Sequence, residues 1–515
     1  MEISLFSASA VFQGALPHPV FIMTSLGPIF ADDLARVKPG DRLRLTISAQ
    51  TSDAAALAQA ALEARARGER VLVVCADPAD VPRLAQEMPW FEPKLDVRPL
   101  PDWETLPYDV LSPQEELVSE RLEALYRLTA PTGGADVLLT SAVTASQRLS
   151  PVSYIGANTF FFHQGEQISL TTLQKRLAAA GYANVKQVLA AGEFAVRGSI
   201  VDVFPMGSER PFRLDFFDDE IESIRWFDVD TQRSMESAEE IRLLPGHEFP
   251  VDPEALLAFR QRWRREFAGD PKKSIVYCDI EKEILPPGIE YYLPLFFDET
   301  AALTDYLPPN ARVFLLGDIE AALQAFGRDM ASHYKVLAAD PQRPALAPER
   351  IWLKPEEFFK SLANFARFTV EKKENAEDLK CLSGIEVDRK SQNPVGKLLE
   401  RTRESAMKGV RTLIAAPSAG RMETMSQLLR TGGLSVEEFS DWQTFLEADS
   451  SLGISAAPLF SGAVFHHPEI VILSEAELYA ASPRRHRLRR VKHATTLEMM
   501  VRDVAELKPG DAVVH

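Results

Sequence analysis

The chain has 515 residues, 46% hydrophobic and 25% charged, which is the composition of folded globular protein. That length is too great for one core, and roughly three to five domains are expected. Its 74 acidic residues outnumber 57 basic ones for a formal charge of −17, which excludes a strong non-specific grip on nucleic-acid phosphates by the whole chain.

Cys75, Cys278 and Cys381 lie far apart with no CxxC pair, so neither a disulfide framework nor a cysteine metal site is expected, and a cytoplasmic location fits. His466-His467 is the one close histidine pair, and adjacent side chains diverge. The N-terminus carries Glu2 and no Lys or Arg before Arg36, unlike a signal peptide, and no apolar run is long enough to span a membrane.

In chain order, Leu43–Ile47 reads as a strand and Asp53–Arg67 as an Ala- and Leu-rich helix ended by Gly68. Val71–Cys75 reads as a buried parallel strand, Pro78–Glu87 as a helix and Leu95–Val97 as a strand. This β-α-β-α-β rhythm predicts an α/β layer with right-handed crossovers, RecA-like in layout. A phosphate-binding loop would need glycines, a lysine and Ser/Thr after the first strand. The turn there is Ser48-Ala49-Gln50-Thr51-Ser52-Asp53, without Gly or Lys, and Asp53 would repel a phosphate. The expectation is a degenerate nucleotide loop with no cofactor.

Pro101–Pro113 is turn-rich with Trp103 and Tyr108 as anchors. A helix is expected with Ser112 as N-cap and Pro113 as first residue, packing Leu117, Leu122, Leu125 and Leu128 on the sheet. Val137–Thr140 is a further buried strand. The texture changes after Arg148, and an α+β module is expected over 150–236, inserted between two parts of the α/β domain, 1–149 and 237–364.

Within the module, Ile200–Phe204 and Phe212–Phe216 read as a hairpin around Pro205-Met206-Gly207-Ser208. Alternation sets Phe212, Leu214 and Phe216 on one face, Arg213 and Asp215 on the other, with Arg197 just before the first strand. By pattern alone that charged face is either solvated surface, which base rates favour, or a binding surface.

Further on, Glu254–Phe267 is a helix, Pro286–Phe297 a rigid aromatic loop and Arg312–Leu316 a strand. Residues 365–392 are highly charged and weakly patterned, as in a linker. A second α/β domain is expected over 393–482. The basic run Arg484–Arg490 reads as the solvated end of a domain in preference to a nucleic-acid contact. The last residues, LKPGDAVVH, read as a turn into a strand.

PDWETLPYDVLSP with its following SERLEALYRL helix, GEFAVRGSIVDVFPMGSE, RLDFFDDEIESIRWFD and PPGIEYYLPLFF resemble, in consistent order over roughly residues 40–515, the bacterial transcription-repair coupling factor family. Residues 1–40 match it less well and read as an extension. The resemblance implies an α/β multidomain protein: a degenerate UvrB-like domain, an inserted UvrA-binding module, a second small α/β domain, and at 483–515 a linker with the start of an RNA-polymerase-interacting module.

It implies a non-catalytic region that recruits UvrA, with ATP, Mg²⁺, double-stranded DNA and RNA polymerase belonging to parts beyond it. A C-terminal region of the intact protein would mask the UvrA surface. Matched to the family motifs, the partner-binding residues are Arg197, Arg213, Asp215, Phe216 and Asp219. Asp215 departs from the glutamate of UvrB, and Ala195 from a common arginine. By strict alternation Phe216 faces the core, so its role stays open between core and contact. The competing reading is an ATP-dependent UvrB-type DNA helicase, which the missing phosphate loop disfavours.

Overall fold

Val71–Cys75, Val137–Ser141 and Arg312–Leu316, apolar enough to be buried on both faces, stand side by side in a seven-stranded sheet. The computed structural model describes residues 20–23, 34, 36–48, 52–130, 134–373, 376–388, 390–466 and 468–479. The spatial order of this sheet is Val20–Met23, Arg42–Ser48, Ala366–Lys373, Arg312–Leu316, Val71–Cys75, Val137–Ser141 and Val97–Pro99, with every pair parallel.

Strands from 20–141 and from 312–373 thus interleave, so the segment between them is an insertion. Its ends are pinned where Leu149 and Ala301 exchange backbone hydrogen bonds of 2.8 and 2.9 Å. The parallel sheet, the antiparallel module and the C-terminal sheet make this an α/β multidomain chain, as the sequence suggests.

Helix Ser52–Ala66 carries alanine on almost every side and has ten buried residues, more than a helix lying on a single sheet would bury. The reason is its position: one core joins Ala54, Leu57, Ala61 and Ala64 to Leu45 and Val73 of the first sheet and to Phe465 and Ile470 of the last domain. That domain has a five-stranded sheet ordered Glu437–Phe439, Leu452–Ala456, Arg411–Ala416, Glu469–Ser474, Ala463–His466, parallel except for its last pair.

The inserted module is a six-stranded sheet ordered Ser234–Ala238, Glu220–Phe227, Phe212–Phe217, Ile200–Val203, Glu193–Arg197, Ala183–Asn184. Helix Leu170–Ala179 covers its inner face, burying Leu173 and Leu177 against Phe194, Val201, Leu214 and Ile224. A separate aromatic core buries Trp103, Phe249, Trp263, Tyr291, Tyr292 and Trp352. Tyr108 donates to the Leu346 carbonyl at 2.8 Å, so Trp103 and Tyr108 anchor their loop as expected.

Several boundaries need correction. Strand Glu240–Leu243 pairs with Phe160–His163, so the module runs past 236. Residues 366–373 are no linker. Phe368 and Val370 are core positions of an interior strand whose exposed end, Glu371 and Lys372, carries the charge that disguises it. The second α/β domain begins before 393, because Leu382 and Ile385 belong to its core.

Val20–Met23 is paired into the first sheet, so 1–40 is not all extension. The helix expected from Pro113 starts at Glu115 with Gln114 as cap. Ser112 is used elsewhere: its hydroxyl donates to Glu290 at 2.9 Å and accepts from the Gly288 amide at 3.0 Å. The basic run Arg484–Arg490 and the terminal LKPGDAVVH lie outside the described residues, as do Ala49, Gln50 and Thr51 of the degenerate loop.

Candidate functional site

The module's sheet has an inner face buried by the helix and an outer face whose side chains follow from cross-strand register. Residues directly opposite one another in a sheet share a face. Arg197 stands opposite Ile200, Ile200 opposite Asp215, and Asp215 opposite Ser223. In the next row Ala195, Asp202, Arg213, Arg225 and Ser237 lie abreast. Arg197, Arg213 and Asp215 therefore project from the same face, a placement that alternation within a single hairpin could not extend to Arg197.

Their surroundings differ. Arg213 is half-buried and forms a two-pronged ion pair with Asp202, Nε to Oδ1 at 2.6 Å and Nη2 to Oδ2 at 2.9 Å. Its Nη1 donates to the Gln232 carbonyl at 3.2 Å and to Ser234 Oγ at 3.3 Å, and the guanidinium lies 5.0 Å from the centre of the Phe227 ring. Asp202 is 1% exposed, so Arg213 is the counter-ion of a buried carboxylate and ties three strands together.

Arg197 is exposed and donates only to the Lys186 carbonyl, at 2.7 Å. Arg225 is exposed as well, and among the described residues neither arginine has a carboxylate within ion-pair distance. Asp215 accepts from Ser223 Oγ at 2.8 Å.

Two two-residue tips end the hairpins on the same side of the sheet. Gly198, with φ of 63°, turns the first. In the second, Asp218 takes a left-handed φ of 53°, a conformation that Asp tolerates, and Asp219 is exposed with its carbonyl accepting from Ile168 N at 2.7 Å.

Phe216 is 5% exposed and sits in the core with Leu214 and Ile221, which resolves its open role in favour of packing. Its neighbour Phe217 is 69% exposed at the tip. Sequence reasoning passed over Phe217, although alternation places it on the face of Arg213 and Asp215. A register shift follows Asp215, with Glu222 the extra residue on the facing strand, so Phe217 comes opposite Glu220. Exposed aromatic surface on a face that also carries cations without ion-pair partners is the composition of an interaction hot spot.

At the other candidate place, the turn after strand Arg42–Ser48, Ser52 and Asp53 open the helix and both are buried. Asp53 is surrounded by Arg83, at 2.6 Å, and Lys372, at 2.8 Å. Among the described residues no group of His, Cys, Asp and Glu could hold a metal ion. No described helix is long and apolar enough to cross a membrane.

Comparison with known proteins bears on the module and on the last domain. Residues 160–249, which hold the six-stranded sheet, match the UvrB interaction domain, and residues 406–478 match the MFD, D3 domain. The chain thus carries a UvrB interaction domain ahead of an MFD, D3 domain. The transcription-repair-coupling factor of Escherichia coli (strain K12) is 36% identical over 455 residues, covering 86% of this chain and 39% of the relative. That of Haemophilus influenzae is 36% identical over 431 residues, covering 82% and 37%. That of Bacillus subtilis is 32% identical over 216 residues, covering 39% and 18%. The chain is thus similar over most of its length to transcription-repair-coupling factors, and it spans 39% of the length of the Escherichia coli relative.

Proposed function

We propose that this chain recruits UvrA, of nucleotide excision repair, to RNA polymerase stalled at a lesion, and that UvrA docks on the outer face of the six-stranded sheet near its 198–199 and 218–219 tips. The observation that carries this reading is the coincidence of the UvrB interaction domain, residues 160–249, with a face presenting Arg197, Arg225 and Phe217 unpaired. Arg197 and Arg225 supply charge, Phe217 supplies apolar area, and Asp215 and Asp219 set the acidic border. Arg213, on the same face, holds it in shape through its ion pair with Asp202.

The chain itself is non-catalytic in this reading, with a UvrB-like, RecA-like first domain whose phosphate position is taken by Asp53. ATP and Mg²⁺ chemistry, and contact with double-stranded DNA and RNA polymerase, belong to the remaining length of the family's proteins, whose C-terminal part would mask the UvrA surface. The protein acts in the cytoplasm.

Titration of UvrA into the chain by calorimetry tests this. Arg197→Ala, Arg225→Glu and Phe217→Ala should each weaken binding at least tenfold with melting unchanged. Wild-type affinity in all three variants would refute the docking face, and no binding by the wild type would refute UvrA recruitment by this chain. Turnover of ATP by the purified chain would refute its non-catalytic role and favour the helicase reading.

A further inference from the structure

In open α/β sheets ligands bind beyond the carboxyl ends of the strands, and phosphate sits at the helix N-terminus that follows a strand. Strand Arg42–Ser48 leads into helix Ser52–Ala66, so in this chain that place falls on Asp53. Asp53 is fully buried, and its Oδ1 accepts from the Ala54 amide at 2.7 Å. Arg83 grips both oxygens, Nη1 to Oδ1 at 2.8 Å and Nη2 to Oδ2 at 2.6 Å, and Lys372 Nζ lies 2.8 Å from Oδ2. Burial pushes this carboxyl up, but Arg83 and Lys372 more than offset it and hold it below the usual range.

The cluster then reaches across to the last domain. Arg83 also binds Asp80 at 2.7 Å and the buried Glu87 at 2.6 Å, while Lys372 stands 3.4 Å from Asp80. Glu87 Oε1 accepts from the Phe460 amide at 3.0 Å, and Trp90 Nε1 donates to the Ala456 carbonyl at 3.2 Å. Phe91 and Trp442 meet edge to face at 5.5 Å. A bidentate guanidinium with an ammonium beside it is a set of donors suited to phosphate oxygens. Here Asp53 and Asp80 already neutralise Arg83 and Lys372, with Glu87 beside them, so an added anion would meet no uncompensated positive charge.

We propose that Arg83 and Lys372 form an oxyanion-binding pair whose occupant is the chain's own Asp53 carboxylate. The phosphate position is thereby filled from within, and through Glu87 the cluster locks the C-terminal α/β domain onto the first.

The test uses the purified chain, pyrophosphate as probe and thermal melting as readout. Wild type should show no saturable shift. Asp53→Ala and the isosteric Asp53→Asn should melt lower, and pyrophosphate should raise their Tm saturably, as mass action requires of a ligand bound only to the folded state. Adding Lys372→Met to Asp53→Ala should abolish that rise. If the Asp53 variants unfold outright, refolding with pyrophosphate should recover them.

An equal pyrophosphate shift in wild type overturns the proposal. So does failure of pyrophosphate to raise the Tm of the Asp53 variants, or to recover them when unfolded. For the lock, Glu87→Ala should speed hydrogen exchange of the Phe460 amide while leaving exchange in strand Val137–Ser141 unchanged; unchanged exchange at Phe460 overturns that part. These residues are separate from the docking face, so failure here leaves the UvrA reading standing.

Discussion

Arg213 is the residue at which a contact role and a structural role give opposite results. Removing its side chain leaves Asp202, 1% exposed, without the guanidinium that binds both of its oxygens. Breaking a buried ion pair from one side costs about 3–5 kcal/mol, because the remaining charge stays buried and uncompensated. Arg213→Ala also loses the bonds to Gln232 and Ser234 that bring in the edge strand. Amide exchange at Val201 and Leu214 should report local opening of the sheet, eased by that amount.

The double variant Arg213→Ala with Asp202→Asn should recover much of the loss, since no ion is then left unpaired. If the double variant is stable and also binds UvrA as wild type does, Arg213 acts only by shaping the face. A loss under 1 kcal/mol in Arg213→Ala would refute the structural account.

The two adjacent phenylalanines divide the same way. Phe216→Ala should destabilise the module by roughly 3–5 kcal/mol by opening a core cavity, whereas Phe217→Ala should change stability by less than about 0.5 kcal/mol in denaturant titrations. Burial pushes the Glu87 carboxyl up to about 7 from an ordinary 4.5, against the pull of Arg83. A raised acid contributes stability that is full below the unfolded value and is lost as pH rises through the folded one, on the order of 3 kcal/mol between about pH 4.5 and 8. Glu87→Gln should flatten that dependence, so Tm measured against pH for the two proteins should diverge from about pH 4.5 and run parallel above about pH 8. Gly288 has φ of 80° and a Cβ there would stand 2.5 Å from the Asp109 carbonyl, so Gly288→Ala should lower Tm and loosen the 101–113 loop in limited proteolysis.

Much of this was legible in the sequence because it is local. The run Val71–Cys75 announces a strand buried on both faces, and the Phe212–Phe216 alternation assigns core and surface correctly through Phe216. What was not legible depends on partners far off in the chain. Asp202 lies on a neighbouring strand, so nothing in RLDFF says that Arg213 already has its carboxylate. The alanines of Ser52–Ala66 gave no amphipathic stripe because the helix is covered from two sides, one of them a domain some four hundred residues away. Strand Ala366–Lys373 was hidden by its own exposed end. The lack of glycines after Ser48 gives only the expectation of a missing phosphate loop, and it takes the fold to put Arg83 and Lys372 around Asp53.

The way the module is hung explains why its face can be both specific and open. Leu149 and Ala301 clamp the exit and the return of the insertion to each other, and the inner face of its sheet shares a core with Leu122 and Leu125 of the first domain. The strands bearing Arg197, Arg225 and Phe217 are fixed before any partner arrives, with Arg213 bound across the strands to Asp202. A partner then orders only a few exposed side chains, and association keeps more of the contact energy than it would on a mobile loop. If that is so, weakening Leu149–Ala301 by Ala301→Pro, which removes the amide donated to Leu149, should lower UvrA affinity though it touches nothing on the face. Unchanged affinity together with faster exchange across the module would show that the face does not depend on its base.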